Sequence, residues 1–401
     1  MSTARTPTSN PAGHAGPALD GLRVLDCSTV IAGPSCARYL ADFGAEVVKI
    51  ERPPDGDTSR RMGLLDDAAA EAAGGYSFTD RRDGQSLAWK LYNRNKRTVT
   101  LDLKSSDGRE ALLSLVERAD VLVENFRPGK LESLGLGPDV LWARNPSLVV
   151  TRITGFGQDG PYAHRAGFAT IAEAMAGWAA ISGEPGGPPV LPPIALTDEI
   201  CGLGAAFATM VALWGGGGQV VDANLFESLL GFMGPLVPSY FATGFLQGRM
   251  GSSIPHSIPR GVWEAADGRY VAVSTSSDAV AARVMDLIGL GTDDRFTRFA
   301  GRAAHRDEVE AALARYVAAR PADEVVASFE AAQAAAAVVM DLADIALDPH
   351  VAARDVFVDV DGVRMQAPIA RLSRTPGSLR WAGRALGADT DEVLSELDRD
   401  E

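Results

Sequence analysis

Between Leu22 and Ile153 short apolar runs alternate with helical patterns, and no other feature constrains the fold of this chain as strongly. Leu22-Arg23-Val24-Leu25-Asp26, Glu46-Val47-Val48-Lys49-Ile50-Glu51, Arg97–Leu103, Asp120-Val121-Leu122-Val123-Glu124 and Ser147–Ile153 read as strands. A helical pattern over Cys36–Phe43, stopped by Gly44, and another over Asp107–Ala119, capped by Asp107, lie between them. Strands and helices in alternation give an α/β fold with a doubly wound parallel sheet, whose ligands sit at the loops after the carboxyl ends of strands. The first of these units lacks GxGxxG, so no nicotinamide or flavin cofactor is expected.

Past Trp214 the pattern changes. Gly215–Gly218 breaks the chain, Gln219–Leu225 reads as a strand, and Gly261–Val273 reads as a hairpin turning on Asp267-Gly268. Helices then dominate over Ala282–Gly289, Arg306–Ala318 and Ala322–Ala335. A chain of 401 residues exceeds what one core usually serves. The expected division is a disordered tail over 1–20, a large domain over 21–215, a smaller α+β domain over 220–330, and a return segment over 335–401 that completes the large domain.

Composition then removes several classes of function. A net charge of −14 argues against nucleic acid as a partner. Cys27, Cys36 and Cys201 are widely spaced and odd in number, which fits a reducing cytoplasm and neither a disulfide framework nor a CxxC metal site. The apolar run Ile200–Trp214 is shorter than the roughly 20 residues of a bilayer span, so no membrane is expected. Within this acidic chain Arg52, Arg94, Lys96, Arg97, Lys104 and Arg127 fall at or near strand ends, and as a group they suit a phosphate-bearing ligand.

One carboxylate stands apart. Asp198 lies in Leu191-Pro192-Pro193-Ile194-Ala195-Leu196-Thr197-Asp198-Glu199-Ile200-Cys201, where a Pro-rich approach meets the apolar helix, and no Lys, Arg or His occurs from Ala166 to Gly248. Thr197 or Asp198 can serve as an ordinary N-cap. A carboxylate nucleophile held ionised at a helix N-terminus fits the same pattern, and local chemistry does not separate the two.

The order of loops resembles a known family. Gly21-Leu22-Arg23-Val24-Leu25-Asp26, Ala32-Gly33-Pro34, Gly44–Glu51, Asn95-Lys96-Arg97, Asp120–Gly129 and Gly155-Phe156-Gly157 occur as in the class III coenzyme A transferases. That family includes formyl-CoA and carnitine CoA-transferases and the related α-methylacyl-CoA racemases, and the similarity runs from about Gly21 to the last fifty residues. It implies a small domain inserted between two parts of a large one, two chains interlocked as a homodimer, coenzyme A along the large-domain loops and a catalytic aspartate at Asp198. Arg52, Leu101, Lys104, Asn125 and Phe126 match the family's coenzyme A contacts in residue type. Ile31 and Ala166 replace a glutamine and a lysine of formyl-CoA transferase, which speaks against formyl and oxalate chemistry. Gly167-Phe168-Ala169 stands where racemases carry Gly-His-Asp, which leaves epimerisation without its second base, and His164 and His256 are weak substitutes.

The resemblance therefore implies an acyl-CoA:carboxylate CoA-transferase that uses the coenzyme A thioester as substrate and keeps no permanent cofactor. A racemase or isomerase of acyl-CoA esters, or a non-catalytic coenzyme A-binding protein, are the alternatives. The chemistry is self-consistent: an aspartate of ordinary pKa, about 3.9, is ionised at neutral pH and forms acyl anhydrides without a neighbouring base. Backbone N–H groups at the helix head or in Gly155–Gly157 are the expected oxyanion donors. Ile31, Phe168 and Ala169 suggest an apolar or small acceptor end.

Overall fold

A computed structural model describes residues 16–398, in two compact units. One comprises the chain up to Ala176, Pro192–Gly234 and the chain from Asp355; the other comprises Gly177–Leu191 and Pro235–Arg354.

The first unit is built on six strands: β1 (Arg23–Asp26), β2 (Glu46–Glu51), β3 (Lys96–Thr100), β4 (Val121–Glu124), β5 (Val149–Thr154) and β6 (Val220–Asn224). Their order is β3-β2-β1-β4-β5-β6 and every pairing is parallel. Successive strand residues face opposite sides, and both sides are covered, which is why these strands read as near-continuous apolar runs. Val24, Val47, Val121, Val123 and Val149 face a core shared with α1 (Ala32–Asp42) and the long helix Leu196–Trp214. Leu25, Val48, Ile50, Leu122 and Val150 face a core shared with the helix Ser106–Val116. The order reverses between β1 and β4, and a ligand cleft is expected where the loops leaving those two strands part.

Several expectations need correction. Val220–Asn224, expected in the small domain, pairs with β5 as the edge of the large sheet. The small domain was expected to end at 330, yet the second unit extends to Arg354 and also takes in Gly177–Leu191. Within it, β7 (Arg260–Glu264), β8 (Tyr270–Ser274) and β9 (Ala335–Val338) form an antiparallel sheet, with Gly268 at φ +79° in the turn from β7 to β8. The helix read as far as Ala335 stops at Ala331, and Ala335 opens β9. Of the expected disordered tail, residues 1–15 lie outside the described residues. Leu19 is anchored: its N–H donates to the Phe43 carbonyl at 3.0 Å, and its side chain packs on the core.

The long helix starts at Leu196 rather than Ile200 and spans 19 residues, so length no longer separates it from a membrane span. Its Cys201, Gly202, Ala205, Ala206, Thr209 and Ala212 side is buried against α1 and the sheet.

Candidate active site

A cavity of about 190 Å³ opens where the loops after β1 and β4 diverge. Leu101 and Phe126 supply apolar lining, and the exposed cations Arg52, Lys104 and Lys130 stand around it with no salt bridge to any described residue. Asn125 closes one side through a reciprocal pair of bonds: the Thr29 N–H donates to its Oδ1 at 2.8 Å and its Nδ2 donates to the Thr29 carbonyl at 2.7 Å. A larger cavity, about 230 Å³, lies at the amino ends of β1 and β2 beside Arg118 and Leu397, the end of the sheet where such folds do not bind ligands.

Beneath the first cavity lies a buried ionic scaffold. Lys49 and Lys96 are inaccessible to solvent; Lys96 Nζ sits 2.8 Å from Asp26 and Lys49 Nζ 3.0 Å from Asp57. Lys49 also donates to the Ser28 carbonyl, and Ser28 Oγ to Asp26. Asp57 Oδ1 accepts the Val30 N–H at 3.1 Å. Val30 has φ 72°, a strained conformation for a β-branched residue, and this hydrogen bond holds it there. The loop Ser28–Val30 is therefore fixed from below, and Asn125 is fixed with it.

The other half of the site is the head of the long helix, which touches the first turn of α1. A Cβ on Gly202 would sit 2.8 Å from the Ala32 carbonyl oxygen and 2.9 Å from Ser35 Cβ, so only glycine permits this approach. Glu199 locks the contact: it accepts from Ser35 Oγ at 2.9 Å, Arg38 at 2.8 Å and Tyr39 Oη at 2.6 Å. On the neighbouring position Thr197 Oγ1 donates to the buried Glu173 at 2.9 Å. Between these two anchored residues, half-buried Asp198 receives no hydrogen bond from any described residue. Burial, then the carboxylates of Glu173 and Glu199, push its pKa up to about 6. The Tyr92 phenol lies near enough to feel both Glu199 and Asp198, and burial first, then those charges, push it up to about 12.

The profile of CoA-transferase family III matches residues 19–390. The chain belongs to CoA-transferase family III. It is 36% identical over 391 residues to the succinyl-CoA–D-citramalate CoA-transferase of Chloroflexus aurantiacus, with 94% of each chain covered. It is 38% identical over 394 residues to the β subunit of succinyl-CoA–L-malate CoA-transferase from the same organism, again with 94% of each covered. Its fold matches the crystal structure of a CAIB/BAIF family protein from Brucella suis with a TM-score of 0.81 and 30% identity, covering 96% of this chain and 100% of that one. It is a CoA-transferase.

In this transferase Arg52, Leu101, Lys104 and Phe126 line one cavity and Asn125 adjoins Phe126 in sequence, whereas Asp198 is not among the residues that line it. The cation group divides. Arg94 is buried against Asp42 at 2.6 Å, Lys96 against Asp26, and Arg97 pairs with Glu46 and Glu396 at the amino end of β3, so none of the three faces a ligand cleft. The N-cap reading of Thr197 or Asp198 also fails, because Ala195 holds the cap position and no side chain caps the helix. Among the described residues the Thr197 and Asp198 N–H groups have no acceptor, whereas the Gly157 N–H is taken by Thr154 Oγ1 at 2.8 Å. Of the two expected oxyanion sources, the helix head retains free donors. Sequence reasoning missed Lys130, Tyr92 and Glu173. Lys130 was findable as the next cation after Arg127 in the β4 loop; the other two carry no local signal.

Proposed function

We propose that the transferase moves coenzyme A from an acyl-CoA to a carboxylic acid through covalent adducts of Asp198. The observation that carries this reading is a carboxylate that receives no hydrogen bond from any described residue, at the uncapped head of an anchored helix. A structural aspartate would be paired; a nucleophile needs its oxygen lone pairs free. An Asp198 oxygen attacks the thioester carbonyl, the C–S bond breaks, and coenzyme A leaves as thiolate. The thiolate then attacks the Asp198 acyl carbon, releasing the donor as its carboxylate and leaving an aspartyl-CoA thioester. The acceptor reverses both steps and no proton is transferred. The free N–H groups of Thr197 and Asp198 are suited to the developing oxyanions.

Arg52, Lys104 and Lys130 suit the phosphates of coenzyme A, and Phe126 and Leu101 an apolar part of it. The names of the relatives suggest succinyl-CoA as donor and a short hydroxylated dicarboxylate as acceptor. Phe168, 70% exposed where the racemases have histidine, offers no second base for epimerisation. The partner is taken to be a second copy, interlocked as the resemblance implies with the small domain inserted in the large one. Three buried free thiols favour the cytoplasm.

Wild-type protein given succinyl-CoA and then hydroxylamine should acquire a hydroxamate at Asp198. Asp198→Asn should lose transfer to D-citramalate or L-malate by several orders of magnitude while retaining coenzyme A binding. Retained transfer, or a tag on Glu199, overturns the assignment.

A further inference from the structure

The elements that pack most closely on the long helix are α1, β5, β6 and the helices Ala169–Met175 and Leu225–Gly231. Their cations are Arg38 and Arg152, and both are paired: Arg38 lies 2.8 Å from Glu199, and Arg152 lies 2.6 Å from Glu124 and 2.7 Å from Glu132. The next cation along the chain is Arg165, in the loop from β5 to the helix Ala169–Met175. It is exposed, and its guanidinium makes no ion pair or hydrogen bond with any described residue. It is nevertheless held: it stacks 3.8 Å from the centre of the Tyr162 ring, Tyr162 meets Phe156 edge-on at 5.8 Å, and Phe156 is buried. The Arg165 N–H donates to the Tyr162 carbonyl at 2.9 Å, and the loop is closed at its neck, where a Cβ on Gly155 would sit 2.7 Å from the Gly167 Cα. This loop leaves the carboxyl end of β5, the ligand end of the sheet. The helix that follows it is tied to the Asp198 turn by the 2.9 Å bond from Thr197 to Glu173, and the chain from Arg165 to Ala169 spans at most about 14 Å.

We propose that Arg165 recognises the distal carboxylate of a dicarboxylic substrate, on the acyl-CoA donor and on the free acceptor alike. The proposal rests on Asp198 as nucleophile and on dicarboxylates as substrates, as the names of the relatives suggest. A dicarboxylate that presents one end to Asp198 brings a second negative charge with it, and the chain from Ala166 to Gly248 contributes no Lys, Arg or His to meet that charge. Arg165 stands immediately before this stretch as an unpaired guanidinium. Its planar fork fits a carboxylate through two parallel hydrogen bonds, and stacking on Tyr162 orders it before the ligand arrives, which lowers the entropic cost of binding. The phosphates of coenzyme A have other partners, because Arg52, Lys104 and Lys130 line the cavity at the β1 and β4 loops and Arg165 does not.

Arg165→Met tests it by removing the charge and keeping the aliphatic stem. With succinyl-CoA and L-malate, kcat/KM should fall by roughly ten- to a hundredfold, the loss expected when a charged hydrogen-bonded pair is broken. With butyryl-CoA and propionate, which lack the second carboxylate, it should stay close to the wild-type value, so the preference for succinyl-CoA over butyryl-CoA shrinks by the same factor. Arg165→Lys should recover part of the loss, for the dicarboxylates alone. Where butyryl-CoA is too slow a donor to measure, inhibition constants give the same comparison: in Arg165→Met that of succinate should rise and that of free coenzyme A should not. Equal losses with both donors and weaker inhibition by coenzyme A put Arg165 on a coenzyme A phosphate, and an unchanged preference leaves it a solvated surface charge; either result overturns the proposal. Hydroxylamine labelling keeps the two readings apart. A label at Asp198 in wild type and variant with an unchanged preference overturns the role of Arg165 alone. A label elsewhere in wild type, or a wild type that prefers butyryl-CoA, overturns the underlying reading and this inference with it.

Discussion

Asp198 destabilises the protein it serves. Its pKa stands at about 6 against an ordinary 3.8, so folding disfavours its ionised form. The penalty builds as pH rises from the unfolded pKa to the folded one and is complete above about 6. At 1.4 kcal/mol per unit it is on the order of 1–3 kcal/mol. Asp198→Asn should therefore melt higher than wild type at pH 7.5, by a few degrees in differential scanning fluorimetry, with the gap closing as pH falls below 6 and vanishing near 4. A variant that melts no higher at pH 7.5 would show that the carboxylate is adequately solvated. The same titration dictates that transfer weakens below about pH 6, where the nucleophile protonates. The sequence made Asp198 conspicuous through its lack of basic neighbours but left its pKa unseen, because burial, its first cause, and the charge of groups distant in sequence both arise only from packing. Lys96 shows the same limit: it read as one of the cations suited to a phosphate-bearing ligand because Asp26, its partner, is 70 residues distant.

At the level of elements, the helix Leu196–Trp214 governs the site through its crossing with α1. Gly202 lies one turn beyond Asp198 and meets backbone atoms of α1, whereas a Cβ on Gly204 would meet nothing within 4 Å. Gly202→Val should push the helices apart, lowering the melting temperature and cutting kcat at least tenfold, since about 1 Å of misplacement can cost a hundredfold. Gly204→Ala should leave kcat unchanged and add up to ~1 kcal/mol of stability through helix propensity. Comparable losses in both variants would show that helix stiffness, not the crossing, sets the geometry. The strands were legible because their two-sided burial leaves unbroken apolar runs, and the parallel sheet followed from them. The start of this helix was not. Ile194-Ala195-Leu196 carries no capping side chain, and the turn is secured by Glu199 reaching Ser35, Arg38 and Tyr39 across more than 150 residues.

Across the whole molecule, the unresolved demand is on its surface. Leu203, Phe207, Val211 and Trp214 recur on one face of the long helix and are 37%, 72%, 53% and 92% exposed. A helix that buries one face and leaves another apolar face bare is unstable in water unless something covers it. A second copy of the chain is the proposed cover. The assembly should have about twice the 42.1 kDa chain mass by light scattering. Interlocking makes a stronger demand than dimerisation, because linked chains part only through partial unfolding. When tagged and untagged proteins are mixed under native conditions, mixed dimers should be absent after days; co-refolding from denaturant should produce them in the statistical proportion. Phe207→Glu with Trp214→Glu should block assembly during refolding, yielding inactive or aggregated chains. Exchange within minutes, an active monomer, or activity that appears only when a different subunit is added would each refute a linked homodimer, and the last would place this chain with relatives whose names specify subunits.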